Sequence, residues 1–287
     1  MPKLAITECP RDAMQGIHDF IATADKVRYI QSLFAVGFDT VDLGSFVSPK
    51  AIPQMADTAE VLSAVSQMAR RSKVLTIVAN TKGAEQACGV GVVDYLGYPF
   101  SISETFQRRN TNAGIAESLE RVKQINEMAL GANKALVVYI SMAFGNPYGD
   151  AWSADLTLKW AEQLAGLGIR HLALADTTGV AQTQDIAGLF ATLIPALPEV
   201  RLGAHLHTRA DNWYDKVKAA FDNGCIHFDT AINGFGGCPM ASDDLTGNLA
   251  TENLLRFAAE QHLETGLDLD ALRVSQVIAQ SIFPTPL

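Results

Sequence analysis

Cysteine is scarce: the 287 residues contain four, Cys9, Cys88, Cys225 and Cys238, with no CxxC spacing. A disulfide framework is therefore not expected. Positive charge is also short. The 22 Lys and Arg residues against 31 Asp and Glu give a formal net charge of −9, which excludes a general binder of nucleic acid or of anionic membranes, since such surfaces need a basic excess. No apolar run approaches the ~20 residues of a membrane span. The opening Met1-Pro2-Lys3-Leu4-Ala5 leads almost at once into a strand pattern and lacks the apolar core of a signal peptide, so the expected location is the cytoplasm. A glycine-rich phosphate loop after the first strand is missing too. Cys9-Pro10-Arg11-Asp12 stands there instead, which argues against a doubly wound dinucleotide fold.

Apolar material is plentiful. Hydrophobic residues make up 48% of the chain and charged ones 18%, enough for a packed core, and no low-complexity tract interrupts it. Short apolar runs alternate with amphipathic stretches. Strands are predicted at Leu4–Glu8, Thr40–Leu43, Lys73–Ala79, Val92–Leu96, Ala135–Ser141, His171–Ala175, Val200–Leu206 and Ile226–Thr230. Helices are predicted at Ile21–Ala35, Ala59–Arg70, Lys82–Cys88, Ile115–Gly131, Leu156–Leu167, Thr183–Leu193, Asn212–Asp222 and Thr251–His262, with a last one at Leu269–Gln280. Stops such as Val36-Gly37, Leu167-Gly168 and Asn223-Gly224 suit the left-handed conformation that closes a helix. Alternating strand and helix at this spacing predicts an α/β fold, a (β/α)₈ TIM barrel in a single domain over residues 1–287, with a short C-terminal helical extension.

In such a barrel the C-terminal strand ends meet at one mouth. These ends carry Glu8, Arg11, Asp12, Asp42, Asn80, Ser141, Asp176, His205, His207, Asp229 and Thr230, whereas the opposite ends carry little that could do chemistry. His205 and His207, two apart on a strand, share a face. Alone they are ordinary strand-end histidines. With Asp12 from the neighbouring first strand they become one hard oxygen and two imidazoles, a set suited to Mg²⁺, Mn²⁺, Co²⁺ or Zn²⁺. Asn248 either adds an amide oxygen or caps the following helix.

Arg11 beside that carboxylate reads equally as a salt bridge to Glu8 or Asp42 and as a fixed charge for an anion or a developing enolate. Asp42 and Asp176 are candidates for a base or for orienting a ligand, and Glu8 and Asp229 read as structural carboxylates. Ile232-Asn233-Gly234-Phe235-Gly236-Gly237-Cys238-Pro239 is either a closing loop that delivers the Cys238 thiol as an acid or base, or a phosphate-binding loop with an incidental cysteine. Lys50, Arg108 and Arg109 are candidate cations for a polyanionic cofactor, although each taken singly reads first as a solvated surface charge. Apolar helix faces leave room for a homodimer.

Six separated motifs in order, Pro10-Arg11-Asp12 with Gln15, Ser45-Phe46-Val47-Ser48-Pro49-Lys50 with Pro53-Gln54-Met55, Asp176-Thr177 with Gly179, His205-Leu206-His207, Gly236-Gly237-Cys238-Pro239 and Gly247-Asn248-Leu249-Ala250-Thr251-Glu252, resemble those of the 3-hydroxy-3-methylglutaryl-CoA lyases. The likeness spans nearly the whole chain. It implies a divalent cation on Asp12, His205, His207 and Asn248, an enolate-stabilising Arg11, a proton-donating Cys238, substrate contacts at Gln15 and Ser45, and an acyl-CoA substrate cleaved to acetoacetate and acetyl-CoA. Three departures concern the acyl end. Asp42 stands where the family has glutamate, Thr208-Arg209 follows the second histidine in place of aspartate, and Ala13-Met14 replaces Gly-Leu. A lyase for citramalyl-CoA or an isoprenoid-derived homologue is the alternative. A condensing enzyme is disfavoured because the chain stops soon after the ninth helix, a Schiff-base aldolase because no lysine stands at a strand end, and a non-catalytic acyl-CoA-binding barrel because every chemical group is present.

Overall fold

The structure, a computed structural model, describes residues 3–237 and 246–283. Eight parallel strands close into a barrel in sequence order: β1 (Ala5–Glu8), β2 (Thr40–Ser45), β3 (Lys73–Ile77), β4 (Tyr95–Ser101), β5 (Ala135–Ser141), β6 (His171–Asp176), β7 (Arg201–Leu206) and β8 (His227–Thr230). Between and after them run α1 (Pro10–Gln15), α2 (Thr23–Val36), α3 (Thr58–Val65), α4 (Thr81–Cys88), α5 (Glu104–Thr111), α6 (Ile115–Gly131), α7 (Ala154–Gly166), α8 (Thr183–Ala196), α9 (Trp213–Asp222), α10 (Thr251–Glu260) and α11 (Leu269–Ile282). No described helix is long and apolar enough to cross a membrane.

The expected β4 at Val92–Leu96 is displaced to Tyr95–Ser101, because Gly97 and Pro99 read as strand breakers. The register removes the conflict. Gly97 turns its backbone toward β3, where its carbonyl accepts from Val78 N. Pro99 has the same orientation two residues on, but β3 ends at Ile77, so no ladder bond needs the N–H that proline lacks. Tyr98 and Phe100 are fully buried on the outer face, and Phe100 packs against Trp160 of α7 with ring centroids 5.5 Å apart. On the inner face a Cβ at Gly97 would lie 2.6 Å from Ile77 and 3.2 Å from Tyr139. The glycine therefore makes the space that the tyrosine ring fills.

Two short helices at the mouth went unforeseen. Pro10 opens α1 at a position where its missing N–H has no bond to lose, and the single turn and a half that follows projects Arg11, Asp12 and Gln15. α5 starts on a Ser103 cap whose hydroxyl accepts from Phe106 N at 3.1 Å, a serine signal present in the sequence. Glu8 closes the seam between β1 and β8. Buried completely, it accepts from Ile232 N and bonds the hydroxyls of Thr230 and Thr251, and burial pushes its carboxyl up to about 8.

Candidate metal centre and active-site cavity

β7 delivers His205 and His207 to the mouth, and α1 delivers Asp12. One ligand atom from each of the three lies within 4.8 Å of the others. The tautomers are set from behind. His205 Nδ1 meets Asp229 Oδ2 at 3.1 Å, which leaves Nε2 for the mouth. Burial opposes a charge on His205, but the bond to Asp229 leaves its pKa raised overall. Burial, then the charge of His205, pushes His207 down to about 4, so this imidazole is neutral at pH 7, as a metal ligand has to be. Its buried Nε2 has no hydrogen-bond partner, an orphaned lone pair turned to the cluster. Burial opposes ionisation of Asp12, yet Arg11 and the two histidines leave its pKa lowered. Two imidazoles and one carboxylate with an orphaned buried nitrogen among them fit a divalent cation. Cys9 forms a second group with His205 and Asp229, but burial raises its thiol pKa well above normal. It packs beneath His205 as a neutral group.

Asn248 is not a helix cap, since α10 begins at Thr251 with Ala250 in the cap position. A backbone bridge pairs it with His207, and its amide nitrogen donates to Asp12 Oδ2 at 2.8 Å and to Phe235 O at 2.9 Å. Presenting the amide oxygen beside Asp12 takes a half-turn of the amide. Gly236 lets this loop approach. Its φ is +90°, and a Cβ there would come within 2.6 Å of Asp12 O and 2.9 Å of Asn248 Nδ2, a requirement for glycine that the sequence showed only as a loop. Cys238 lies outside the described residues.

Of the two salt bridges open to Arg11, the structure contains the one to Asp42. Nε and Nη2 donate to Asp42 Oδ2 at 3.0 and 2.5 Å, and Nη1 donates to Asp12 Oδ1 and Gln15 Oε1 at 2.8 and 2.9 Å. One Nη2 hydrogen remains for a ligand oxygen. Gln15 Nε2 also donates to Asp12 at 2.6 Å. Asp42 is fully buried with one oxygen unpartnered, and burial pushes it up to about 6 against the opposing charge of Arg11.

The cluster opens on a cavity of about 340 Å³. Arg11, Asp12, Gln15, His205 and His207 form one wall, and Val47, Ile52, Ile77, Pro99 and Phe106 form an apolar wall opposite. Neither Asp42 nor Asp176 lines it: Asp42 holds Arg11, and Asp176 is bound by Lys216. Ser45 is likewise behind the wall, its hydroxyl accepting from Val47 N at 3.1 Å, so it shapes the turn that presents Val47. Lys50 and Arg109 are exposed beside the lining residues Ala51 and Asn110. Arg109 lies 4.8 Å over the ring of Tyr148, and Arg108 pairs with Glu104 at 2.7 Å.

Lys216 escaped the sequence reading because a lysine in the amphipathic α9 looks like a surface charge. It is 2% exposed and donates to Asp176 Oδ2 at 2.6 Å, Gly179 O at 2.9 Å and His207 O at 3.0 Å, pinning the backbone that carries the second imidazole. Lys216→Met strands Asp176 without a counter-charge. The expected cost is about 3 kcal/mol, or a Tm lower by ~5 °C, with metal affinity reduced ~10-fold as His207 loses its anchor. Calorimetry of unfolding and of Mn²⁺ binding checks both. Adding Asp176→Asn should recover Tm without recovering affinity, and recovery of both would assign the pair to stability alone.

A family model described as HMGL-like matches residues 4–278. The 3-hydroxy-3-isohexenylglutaryl-CoA/hydroxy-methylglutaryl-CoA lyase of Pseudomonas aeruginosa is 34% identical over 278 residues, covering 95% of this chain and 91% of that protein. The (R)-citramalyl-CoA lyase of Chloroflexus aurantiacus is 31% identical, covering 92% and 85%. The crystal structure of the HMG-CoA lyase from Brucella melitensis superposes with a TM-score of 0.90 at 31% identity, covering 98% of this chain and 99% of that one. A closed barrel whose mouth gathers Asp12, His205 and His207 beside Arg11, matched end to end by these relatives, places the chain in the HMGL-like family.

Proposed function

We propose that the chain is a divalent-cation-dependent carbon-carbon lyase that cleaves 3-hydroxy-3-methylglutaryl-CoA to acetoacetate and acetyl-CoA by a retro-Claisen reaction. The observation that carries this reading is the juxtaposition of the Asp12, His205 and His207 cluster with a fixed guanidinium on one wall of one cavity. These three residues would hold a divalent cation, Mg²⁺ or Mn²⁺ before Co²⁺ or Zn²⁺, joined by the Asn248 amide oxygen after a half-turn of that amide, and the cation would supply Lewis acidity at the substrate hydroxyl. A base takes the hydroxyl proton, the hydroxyl oxygen becomes the ketone oxygen of acetoacetate as the bond between C2 and C3 breaks, and the electron pair of that bond becomes the enolate of acetyl-CoA. The remaining Nη2 hydrogen of Arg11, which lines the same cavity, is the donor for that oxyanion. The enolate carbon then takes a proton, for which Cys238 at the end of the Gly236-Gly237 approach is the donor. Asp42 is a positioning residue that holds the guanidinium plane. Lys50 and Arg109 at the rim, with Arg108, supply positive charge for the phosphates of CoA.

The apolar wall of Val47, Ile52, Ile77 and Phe106 favours a second reading, a lyase for a related branched 3-hydroxyacyl-CoA. The purified protein should release acetoacetate from 3-hydroxy-3-methylglutaryl-CoA with Mg²⁺ or Mn²⁺ and lose that activity on chelation. Turnover of citramalyl-CoA or the isohexenyl homologue with none of 3-hydroxy-3-methylglutaryl-CoA would replace the first reading by the second.

A further inference from the structure

The side of His205 turned away from the mouth meets a second set of donors that the cleavage reaction leaves unused. Cys9 and Asp229 stand there, outside the lining of the mouth cavity, and one ligand atom from each of Cys9, His205 and Asp229 lies within 4.8 Å of the other two. Strand register brings them together. Asp229 is the partner of His205 across β7 and β8 and of Thr7 across β8 and β1. Cys9 continues the ladder, its N bonded to Thr230 O at 2.8 Å, and two residues beyond Thr7 it projects from the same face.

The donors are lightly engaged. Cys9 Sγ reaches only Thr7 O, at 3.8 Å. Asp229 spends Oδ2 on His205 Nδ1 at 3.1 Å, and its Oδ1 has no hydrogen bond among the described residues. Asp229 and Thr7 also line a cavity of about 60 Å³ at the strand starts, with Asp39 as a second carboxylate and Arg201 exposed at its edge, an approach that does not cross the mouth. The local charge suits a cation. Burial first, then Asp229, Asp42 and Asp12 against Arg11, suppress the Cys9 thiolate. The same three carboxylates draw a positive ion to the sulfur, and a coordinated thiol loses its proton. Sulfur, nitrogen and oxygen donors together suit Zn²⁺ or Cd²⁺, whereas Mg²⁺ gains nothing from the sulfur.

We propose that Cys9 Sγ, His205 Nδ1 and a carboxylate oxygen of Asp229 form a second metal site, selective for a thiophilic divalent ion such as Zn²⁺ or Cd²⁺, whose occupation disables the cation site at the mouth. The coupling runs through one imidazole, and it rests on the reading of Asp12, His205 and His207 as a cation site. A neutral imidazole has one N–H and one lone pair. With Nδ1–H donated to Asp229, the lone pair is on Nε2 and faces the mouth. An ion on Nδ1 needs that lone pair at the back: the Nδ1 proton leaves, Nε2 takes one up, and the Cys9 thiol proton passes to solvent. His205 then turns an N–H toward Asp12 and His207 and no longer ligates there.

Cd²⁺ and Mn²⁺ are the probes, used on the full chain. Cd²⁺ added to the metal-free protein should raise an ultraviolet thiolate-to-metal absorption that saturates and is absent in Cys9→Ser. The Cd²⁺ needed to release half the bound Mn²⁺, read from the paramagnetic resonance of the free ion, should rise more than ~10-fold in Cys9→Ser, with the affinity for Mn²⁺ alone unchanged. Survival of the absorption in Cys9→Ser would overturn the site. Equal release of Mn²⁺ from both chains would put Cd²⁺ at the mouth and overturn the coupling. Should Cys9→Ser fold poorly, Cys9→Ala replaces it with the same outcomes. Neither measurement involves turnover, so a failure to release acetoacetate would count against the cleavage reading alone.

Discussion

Replacing His205 by alanine is expected to lower kcat for cation-dependent cleavage by at least ~10³-fold, since the Lewis acid contributes several kcal/mol. Three features place the largest effect here. His205 is the imidazole that Asp229 orients, it shares the cluster with Asp12 and His207, and it lines the cavity. Bound Mn²⁺ measured by calorimetry should fall in parallel, whereas Tm without cation should change little. Asp229→Asn keeps the ring but loosens its orientation, so a loss of ~10–100-fold is expected. Full activity in His205→Ala would remove the proposed centre.

Arg11→Gln is expected to reduce kcat by ~10²–10³-fold with little change in KM, because the charge it removes acts on an oxyanion that exists only as the bond breaks. The substitution also strands a buried Asp42, which accepts two of the guanidinium bonds, and that alone costs about 3 kcal/mol of stability. The double variant Arg11→Gln with Asp42→Asn separates the two effects. It should regain most of the lost Tm while kcat stays low. If kcat returned with Tm, Arg11 would be a structural ion-pair partner and the enolate would need another donor.

The barrel and the meeting of Asp12 with the two histidines were legible because both follow from short periods. The two-residue repeat aligns His205 with His207, and the strand-helix alternation brings β1 beside β8 and so Asp12 beside β7. What escaped depended on distance or on a neighbour's end. Pro99 is tolerated because β3 stops at Ile77, which no reading of β4 alone reveals. Lys216 is a buried anchor because Asp176, 40 residues away, and two carbonyls converge on it. Asp42 and Asp176 showed their residue type in the sequence, but not that each is turned away from the cavity.

The link from Asn248 to Asp12 joins residues 236 positions apart. Asp12 leaves the ribosome ahead of seven further strands and of the segment that fastens it. No shorter nascent chain can assemble the cluster, because the loop that carries Asn248 also supplies the backbone bridge to His207. Ring closure at the seam of β8 and β1 is therefore a late event that carries the entropic cost of closing a long loop, and a cation that bridges the seam would favour the closed ring over one that has opened there.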